Sequence, residues 1–255
     1  MNKEYIVGLL EKSERIDGRK LDAYRKITVE NGVSKNAEGS ARVKIGDTEV
    51  IAGVKMDVGE PYFDSQDKGV LIMGAELSPL SSEDFEPGPP STQAVELARV
   101  VDRGIRESNS IDMKKLCIKK KEKVWMVFID IYIVNADGNL LDAAALASIA
   151  ALKNAKFPEY DEKNERVKYG ELSKKSIPLD KLPIACTLYK VGGKILADVS
   201  NEEEKIVEAR LTVTMTEEGI HGMQKGGDKT LSIKEIDEMV KIAEVRTKEL
   251  RALIK

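Results

Sequence analysis

The chain has 255 residues, of which 42% are hydrophobic and 33% are charged, so it can bury a substantial core beneath a charged surface. The formal net charge of -3 excludes a basic surface over the whole molecule, so any contact with nucleic acid must be a local patch. No apolar run has the length of a membrane span and the N-terminus lacks a signal-peptide core, so we expect a cytoplasmic protein without membrane contact.

The first third of the sequence predicts a short helix followed by β structure. Residues 5–14 have an amphipathic helical pattern. Residues 40–45 and 48–56 alternate small or apolar with polar side chains around a glycine-aspartate pair, which predicts a β-hairpin. Residues 69–77 predict a further strand. The proline-rich segment 85–90 fits neither a helix nor a central strand, and we interpret it as a rigid loop.

Residues 92–108 predict an amphipathic helix with two chemically different sides. One side is apolar and should face the core; it comprises Ala94, Leu97, Ala98, Val101, Gly104 and Ile105. Arg99, Arg103 and Arg106 lie on the opposite side at helical spacing. Taken alone, this arginine face is typical of a salt-bridged surface, because Glu96 precedes Arg99 by three residues and Glu107 follows Arg103 by four.

The segment 124–152 has the layout of an anion site without the residues that hold an anion. Residues 124–134 are a long apolar run and predict a buried strand, and the Ala/Leu-rich residues 140–151 predict a buried helix. A glycine-containing turn between a strand and a helix offers free N–H groups and the helix dipole to an anion. Here its tip carries Leu140 and Leu141, with no hydroxyl or cation to grip a phosphate.

The remaining chain predicts a charged loop, a second β group and a closing helix. The loop covers residues 160–181, the strands cover 183–189, 194–199 and 208–216, and the helix covers 233–254. The apolar stripe of that helix is Ile233, Ile236, Val240, Ala243, Leu250 and Leu253. These elements predict an α/β (α+β) fold. No linker divides it, so we expect a single domain over 1–255, with a β-rich N-terminal half at about 15–155 and the second β group with its helix at about 183–255.

Several motifs, in this order along nearly the whole chain, together resemble the RNase PH family of phosphorolytic 3′-to-5′ exoribonucleases. They are Arg15-x-Asp17-Gly18-Arg19, Gly39-Ser40-Ala41-x-Val43 with Gly46-x-Thr48-x-Val50, Glu86-Pro87-Gly88-Pro89-Pro90 before Glu96-Leu97-Ala98-Arg99-x-x-x-Arg103, residues 130–134 with Ala136-Asp137-Gly138, and residues 198–210. The resemblance implies an RNase PH-like fold, similar to ribosomal protein S5 domain 2, with mixed sheets packed against helices. The loop and helix look most like the branch of non-catalytic RNase PH-like subunits of the archaeal exosome.

The resemblance also implies that the catalytic machinery is missing. Active relatives hold phosphate with a Gly-Ser/Thr-Arg turn, and the matching positions here are Asn139, Leu140 and Leu141. Active relatives carry arginines before the helix, where residues 92–95 contain no cation. Of the two acidic positions that relatives use as general acid and metal ligand, Glu204 keeps a carboxylate and the other is Arg210, which cannot release a proton. We therefore expect no catalytic residue, no metal ligand and no cofactor.

For this branch the resemblance implies a partner-dependent role. The chain would pair with the catalytic RNase PH-like subunit, three such heterodimers would form a hexameric ring, and RNA-binding cap subunits would sit on the ring. Arg99 and Arg103 match positions that contact single-stranded RNA beside the partner's active site, and Arg106 is a weaker candidate. Two alternatives are a self-sufficient phosphorolytic exoribonuclease and a small-molecule α/β enzyme unrelated to RNA.

Other reactive side chains receive structural interpretations. Asp198 with Glu202, Glu203 and Glu204 is more typical of a solvated acidic turn than of a metal site. His221 is the one histidine of the sequence and is expected in a loop. The glycine pair at residues 226–227 predicts a hairpin turn. Cys117 and Cys186 are expected to be buried free thiols, since two cysteines do not make a disulfide framework or a zinc site.

Overall fold

The computed structural model describes residues 3–161 and 163–254, which form two main sheets, a helical layer between them and a helix on the outside. The helices are α1 Lys3–Glu11, α2 Thr92–Glu107, α3 Leu140–Asn154, α4 Asn201–Glu204 and α5 Ile233–Arg251. The strands are β1 Ile27–Asn31, β2 Gly39–Ile45, β3 Thr48–Gly59, β4 Val70–Leu77, β5 Cys117–Lys119, β6 Lys123–Asn135, β7 Lys156–Asp161, β8 Arg166–Ser176, β9 Ile184–Val191, β10 Lys194–Ala197, β11 Ala209–Thr216 and β12 Gly219–Gly226.

The first sheet has the strand order β1-β2-β3-β6-β4, with β5 paired to β6. Strand β4 runs parallel to β6 and the other pairs are antiparallel. The predicted hairpin is confirmed as β2 and β3, closed where Ile45 pairs with Thr48. Alternate residues of β3 and β6 are buried and face α3, as the apolar run predicted for β6.

The second sheet is antiparallel with the order β10-β9-β11-β12. Side chains of β9 alternate between its two faces. Thr187 contacts α3 and Tyr189 contacts Asn139, the residue before that helix, whereas Cys186 and Leu188 share a core with α5. Helix α2 packs on the same face of the second sheet as α3, as the contact of Gly104 with Thr214 of β11 shows. The helical layer of α2 and α3 therefore holds the two sheets together.

The two inner helices form for different reasons. In α2 the Ser91 hydroxyl caps the first turn by accepting the Ala94 N–H at 3.2 Å, and all six predicted apolar residues are buried. Helix α3 is buried on all sides over residues 141–152, so its sequence has no polar stripe. Its alanines allow the close approach of a helix to sheets on both sides.

Several expectations about the second half are wrong. Residues 160–181 are not a loop: β7 and β8 form a two-stranded hairpin whose mostly exposed, charged strands are joined by backbone pairing rather than by burial. Helix α5 ends at Arg251, and its buried residues are Met239, Ala243, Thr247 and Leu250, whereas Ile233 and Leu253 are exposed. Strand β12 in this half, like β1 in the first half, is an additional element, and both lie at sheet edges.

The expectation for the cysteines is half right. Cys186 is buried and Cys117 is partly exposed, and both are free thiols. The interpretation of the chain as one domain over 1–255 stays a prediction, favoured by the helical layer that both sheets share. In the described ranges, no helix combines the length and apolarity needed to cross a bilayer.

Asp142, in the first turn of α3, is a buried carboxyl between the helix and the second sheet. It accepts hydrogen bonds from the Tyr24 hydroxyl at 2.6 Å and from the Thr187 hydroxyl at 2.7 Å. Burial raises the pKa of Asp142 to about 6, although both hydroxyls oppose the shift. The carboxyl thus joins α3 to β9 and to the segment before β1, at the cost of a disfavoured charge at neutral pH.

The raised pKa of Asp142 predicts a specific pH dependence of stability. In the unfolded chain this carboxyl has a pKa of about 3.9, so its contribution is complete below about pH 4 and is lost as the pH rises through about 6. We expect Asp142→Asn to gain about 2 to 3 kcal/mol relative to the wild type between pH 4 and pH 7. Urea unfolding of both proteins across this range measures the difference, and a constant difference would contradict the expectation.

Candidate functional site

The turn before α3 is held against a second turn from the other half of the chain. Gly138 has φ +81°, and a Cβ at this position would lie 2.4 Å from the Val199 carbonyl oxygen, so only glycine allows the two turns to touch. The Thr48 hydroxyl donates to the Gly138 carbonyl at 2.7 Å. The Gly46-x-Thr48 and Ala136-Asp137-Gly138 motifs of the sequence therefore meet in space.

Arg25 bridges these two turns. Its guanidinium donates to Asp137 Oδ2 at 2.8 Å on one side and to Asp198 Oδ1 at 2.8 Å on the other. Asp198 also accepts the Arg25 backbone N–H at 2.7 Å and the Arg19 guanidinium at 2.9 Å. Burial raises the pKa of Asp198, but the hydrogen bonds and charge of Arg25 outweigh it, and the net shift is downward. Asp198 is therefore a buried anion that is fully paired.

The neighbouring acidic residues are part of the same structure, and the interpretation as a solvated turn is wrong for two of them. Asp198 and Glu203 are buried. Glu203 binds the buried Arg15, with Arg15 Nε 3.0 Å from Oε1, and it closes the capping box of α4 with Ser200. Within the described ranges, no cluster of histidine, cysteine and carboxylate side chains has the arrangement of a metal site.

The candidate phosphate turn has no phosphate ligands from side chains. Asn139 begins α3 in the left-handed conformation, with φ +55°, and its side chain does not cap the helix. Instead its amide donates to Asp198 at 3.0 Å and accepts the Tyr189 hydroxyl at 3.1 Å. Leu141 belongs to the main core and Leu140 packs against it. Where a hydroxyl and a guanidinium could hold an oxyanion, this chain extends its hydrophobic core.

The two candidate acid positions lie near this turn and carry opposite charges. The pKa of Glu204 is raised, because loss of hydration outweighs the opposing effects of the Arg210 charge and the Asn139 backbone N–H. Arg210 is the second residue of β11, and its Nη2 lies 2.6 Å from Glu96 Oε1 on α2.

The three arginines on the outer side of α2 have different surroundings. Arg99 is exposed and makes no hydrogen bond or ion pair with any residue that the structure describes. Arg103 is also exposed, and its Nη1 donates to Gln224 Oε1 on β12 at 3.0 Å. Arg106 is bound to Asp102 at 2.7 Å and to the Leu71 carbonyl at 3.2 Å. The two residues predicted to bind RNA are thus exposed, and the weaker candidate is held by its own helix.

The pairing expected from spacing on α2 does not form at Glu96. Its carboxylate turns to Arg210 rather than to Arg99 three residues along the helix. Sequence reasoning missed Gln224 and Arg25: β12 gave no strand signal, and Arg25 stands outside the motif that ends at Arg19. His221 lies in β12 rather than in a loop, with Nε2 2.7 Å from the Thr216 hydroxyl. The glycine pair ends this strand and leads to α5, so it is not a hairpin turn.

An open groove of about 700 Å³ lies between loop 85–90, the end of β4, β6 and the first turn of α2. Among the residues that the structure describes, no lysine or arginine lines this groove. Its acidic lining residues are Glu76, Asp84, Glu86 and Asp130. Residues 92–95 add no cation. The groove therefore repels a phosphodiester, and the arginine face of α2 is the better anion surface.

Comparison with known proteins decides the family. Residues 23–158 match domain 1 and residues 181–246 match domain 2 of the RNase_PH 3′ exoribonuclease family. The chain belongs to the RNase PH family. The expected fold class and the resemblance stated from the sequence motifs are both confirmed. The two matched family domains correspond to the first sheet with α2 and α3, and to the second sheet with most of α5.

Relatives in this family are similar over nearly their whole length. The Exosome complex component Rrp42 of Methanocella arvoryzae is 49% identical over 98% of this chain and 94% of its own. A solved structure described as the Archaeoglobus fulgidus exosome with RNA bound to the active site contains a chain that is 46% identical, with a TM-score of 0.92 over 99% of this chain and 97% of that one. A structure of an archaeal exosome core matches at 43% identity and TM-score 0.86, over 98% and 94%.

The site geometry predicts that Arg25 is required for stability. Arg25→Met leaves the buried Asp198 with one guanidinium fewer, and breaking a buried ion pair costs about 3 to 5 kcal/mol. Arg25→Lys keeps the charge but loses the forked geometry, so we expect an intermediate loss. Chemical denaturation of the three proteins measures these effects. A loss below about 1 kcal/mol for Arg25→Met would show that the two turns hold together without it.

Proposed function

We propose that this chain is the non-catalytic RNase PH-like subunit of an archaeal exosome, a complex that degrades RNA from the 3′ end by phosphorolysis. It pairs with a catalytic RNase PH-like subunit, and three such pairs form a hexameric ring that carries RNA-binding cap subunits. The observation that supports this most directly is the turn at residues 139–141, where the side chains build the core and bind other protein groups. The relatives named as exosome components add support for the assembly.

The absence of catalysis in this subunit follows from chemistry. Phosphorolysis requires a group that orients inorganic phosphate and a group that transfers a proton. Leucines occupy the first place, and Arg210, paired with Glu96, occupies one of the two acidic positions. A guanidinium stays protonated in proteins, so it cannot act as an acid or base at neutral pH and would repel a divalent cation. In this proposal the partner supplies the phosphate site.

The contribution of this chain is to hold RNA. Arg99 and Arg103 are exposed on the same helix face, and guanidinium groups bind phosphodiester oxygens with charge-assisted hydrogen bonds that do not read sequence. Arg106 is not included, because its Nε and Nη2 already donate to Asp102 and to the Leu71 carbonyl. The single-stranded RNA would run along α2 to the partner's site, in the cytoplasm.

A reconstitution experiment separates this proposal from a self-sufficient exoribonuclease. We expect the purified chain to release no nucleoside diphosphate from single-stranded RNA in the presence of inorganic phosphate, because it lacks a phosphate site. Mixed with its catalytic partner it should form a complex that does. Chromatography detects the nucleoside diphosphates. If the chain alone releases them, and this activity persists through further purification, the proposal is refuted.

Substitution of Arg99 tests the RNA surface. In the reconstituted complex, Arg99→Ala removes one phosphate contact, so we expect weaker binding at low salt and a salt slope smaller by about 0.7. Lys241→Ala is a charge-matched control on α5, which lies on the other side of the second sheet, and it should leave the slope unchanged. Fluorescence anisotropy with labelled oligoadenylate, without phosphate to prevent turnover, measures both. Equal slopes for Arg99→Ala and the wild type would exclude Arg99 as an RNA contact.

A further inference from the structure

Arg210 is fixed in place by two independent contacts. Its Nη2 lies 2.6 Å from Glu96 Oε1, so the side chain bridges β11 and α2. Its guanidinium also lies against Gly226 of β12, the residue paired with it in the sheet, where an added Cβ would be 2.6 Å from Cζ. A larger residue at position 226 would collide with the guanidinium. The structure therefore provides a defined position for this cation.

The partner of Arg210 has another cation within its reach along the helix. Glu96 lies one turn before Arg99, and a carboxylate and a guanidinium three residues apart are neighbours on a helix surface. Arg106 shows what such a carboxylate does on this same helix: Asp102, four residues before it, holds it through two hydrogen bonds. Arg99 has no such bond in the described structure, and Glu96 binds Arg210 of β11 instead.

We propose that Arg210 is a positioning residue for RNA: it draws Glu96 away from Arg99 and so keeps the Arg99 guanidinium free for a phosphodiester. This inference rests on the proposed function, since it concerns the RNA surface of α2. Arg210 acts here through Glu96 and does not itself touch RNA. The cation at a position where active relatives hold an acid then has a role of its own.

The test is a double-mutant cycle in the reconstituted complex, with labelled oligoadenylate as the probe and no phosphate. Arg210→Met frees Glu96 to pair with Arg99, and we expect RNA affinity at low salt to fall about 2- to 5-fold, the range of a helix ion pair plus local repulsion. Glu96→Gln added to Arg210→Met should restore affinity to within about 2-fold of the wild type. In an Arg99→Ala background, Arg210→Met should have no further effect, since its target is gone.

A second variant tests position without changing charge. Gly226→Val fills the space against which the guanidinium lies and leaves every charged residue in place. We expect it to lower RNA affinity in the same direction as Arg210→Met and to be rescued by Glu96→Gln. Long-range electrostatics alone predicts no effect of this variant, so unchanged affinity would contradict the proposal. The urea midpoint of each variant shows whether its fold is intact.

The possible failures are distinguishable. If Arg99→Ala itself has no effect on binding, the proposed RNA surface is wrong. If Arg99→Ala weakens binding but Arg210→Met weakens it equally in the Arg99→Ala background, Arg210 binds RNA directly or acts by charge alone. In that case the positioning role is wrong and the proposed function stands.

Discussion

The buried carboxylate of Asp198 is the group on which the arrangement of the candidate site depends. The residue has a positive φ of +48° and is fully buried. Its carboxylate accepts hydrogen bonds from Arg19, Arg25 and Asn139. An isolated buried carboxylate is costly, so each of these donors is required in place. One anion thus orders the N-terminal motif, the turn before α3 and the turn before α4, which are far apart in the sequence.

This constraint explains why the turn before α3 has a defined shape although its side chains offer no ligand for a phosphate. The Gly138 turn remains tight, and Asn139 keeps its left-handed conformation, because Thr48, Arg25 and Val199 surround them. The side chain of Leu141 lies in the main core, and that of Leu140 packs against it. The backbone of this turn is therefore set by the buried polar contacts around it and not by the side chains of Leu140 and Leu141.

The outer face of α2 shows how tertiary contacts select among equivalent residues. Three arginines recur at helical spacing, each with a carboxylate nearby in the sequence, so spacing alone predicts the same ion pairing for all three. In the structure, Arg103 donates to Gln224 of β12, Glu96 binds Arg210 of β11, and Asp102 binds Arg106. Only the tertiary structure shows which of these arginines is held by a carboxylate of its own helix and which is not.

The sequence by itself determined the local elements whose patterns are strong: the β2–β3 hairpin, the buried β6 and α3, and the apolar face of α2, since periodicity and turn residues are local properties. Its ordered motifs also determined the family. Only the tertiary structure decided that Asp198 and Glu203 are buried ion pairs, that residues 156–176 form a hairpin, and that β12 completes the second sheet. Charged strands and acidic turns have the same composition whether they are solvated or paired, and their state depends on partners more than a hundred residues away, such as Arg15 for Glu203.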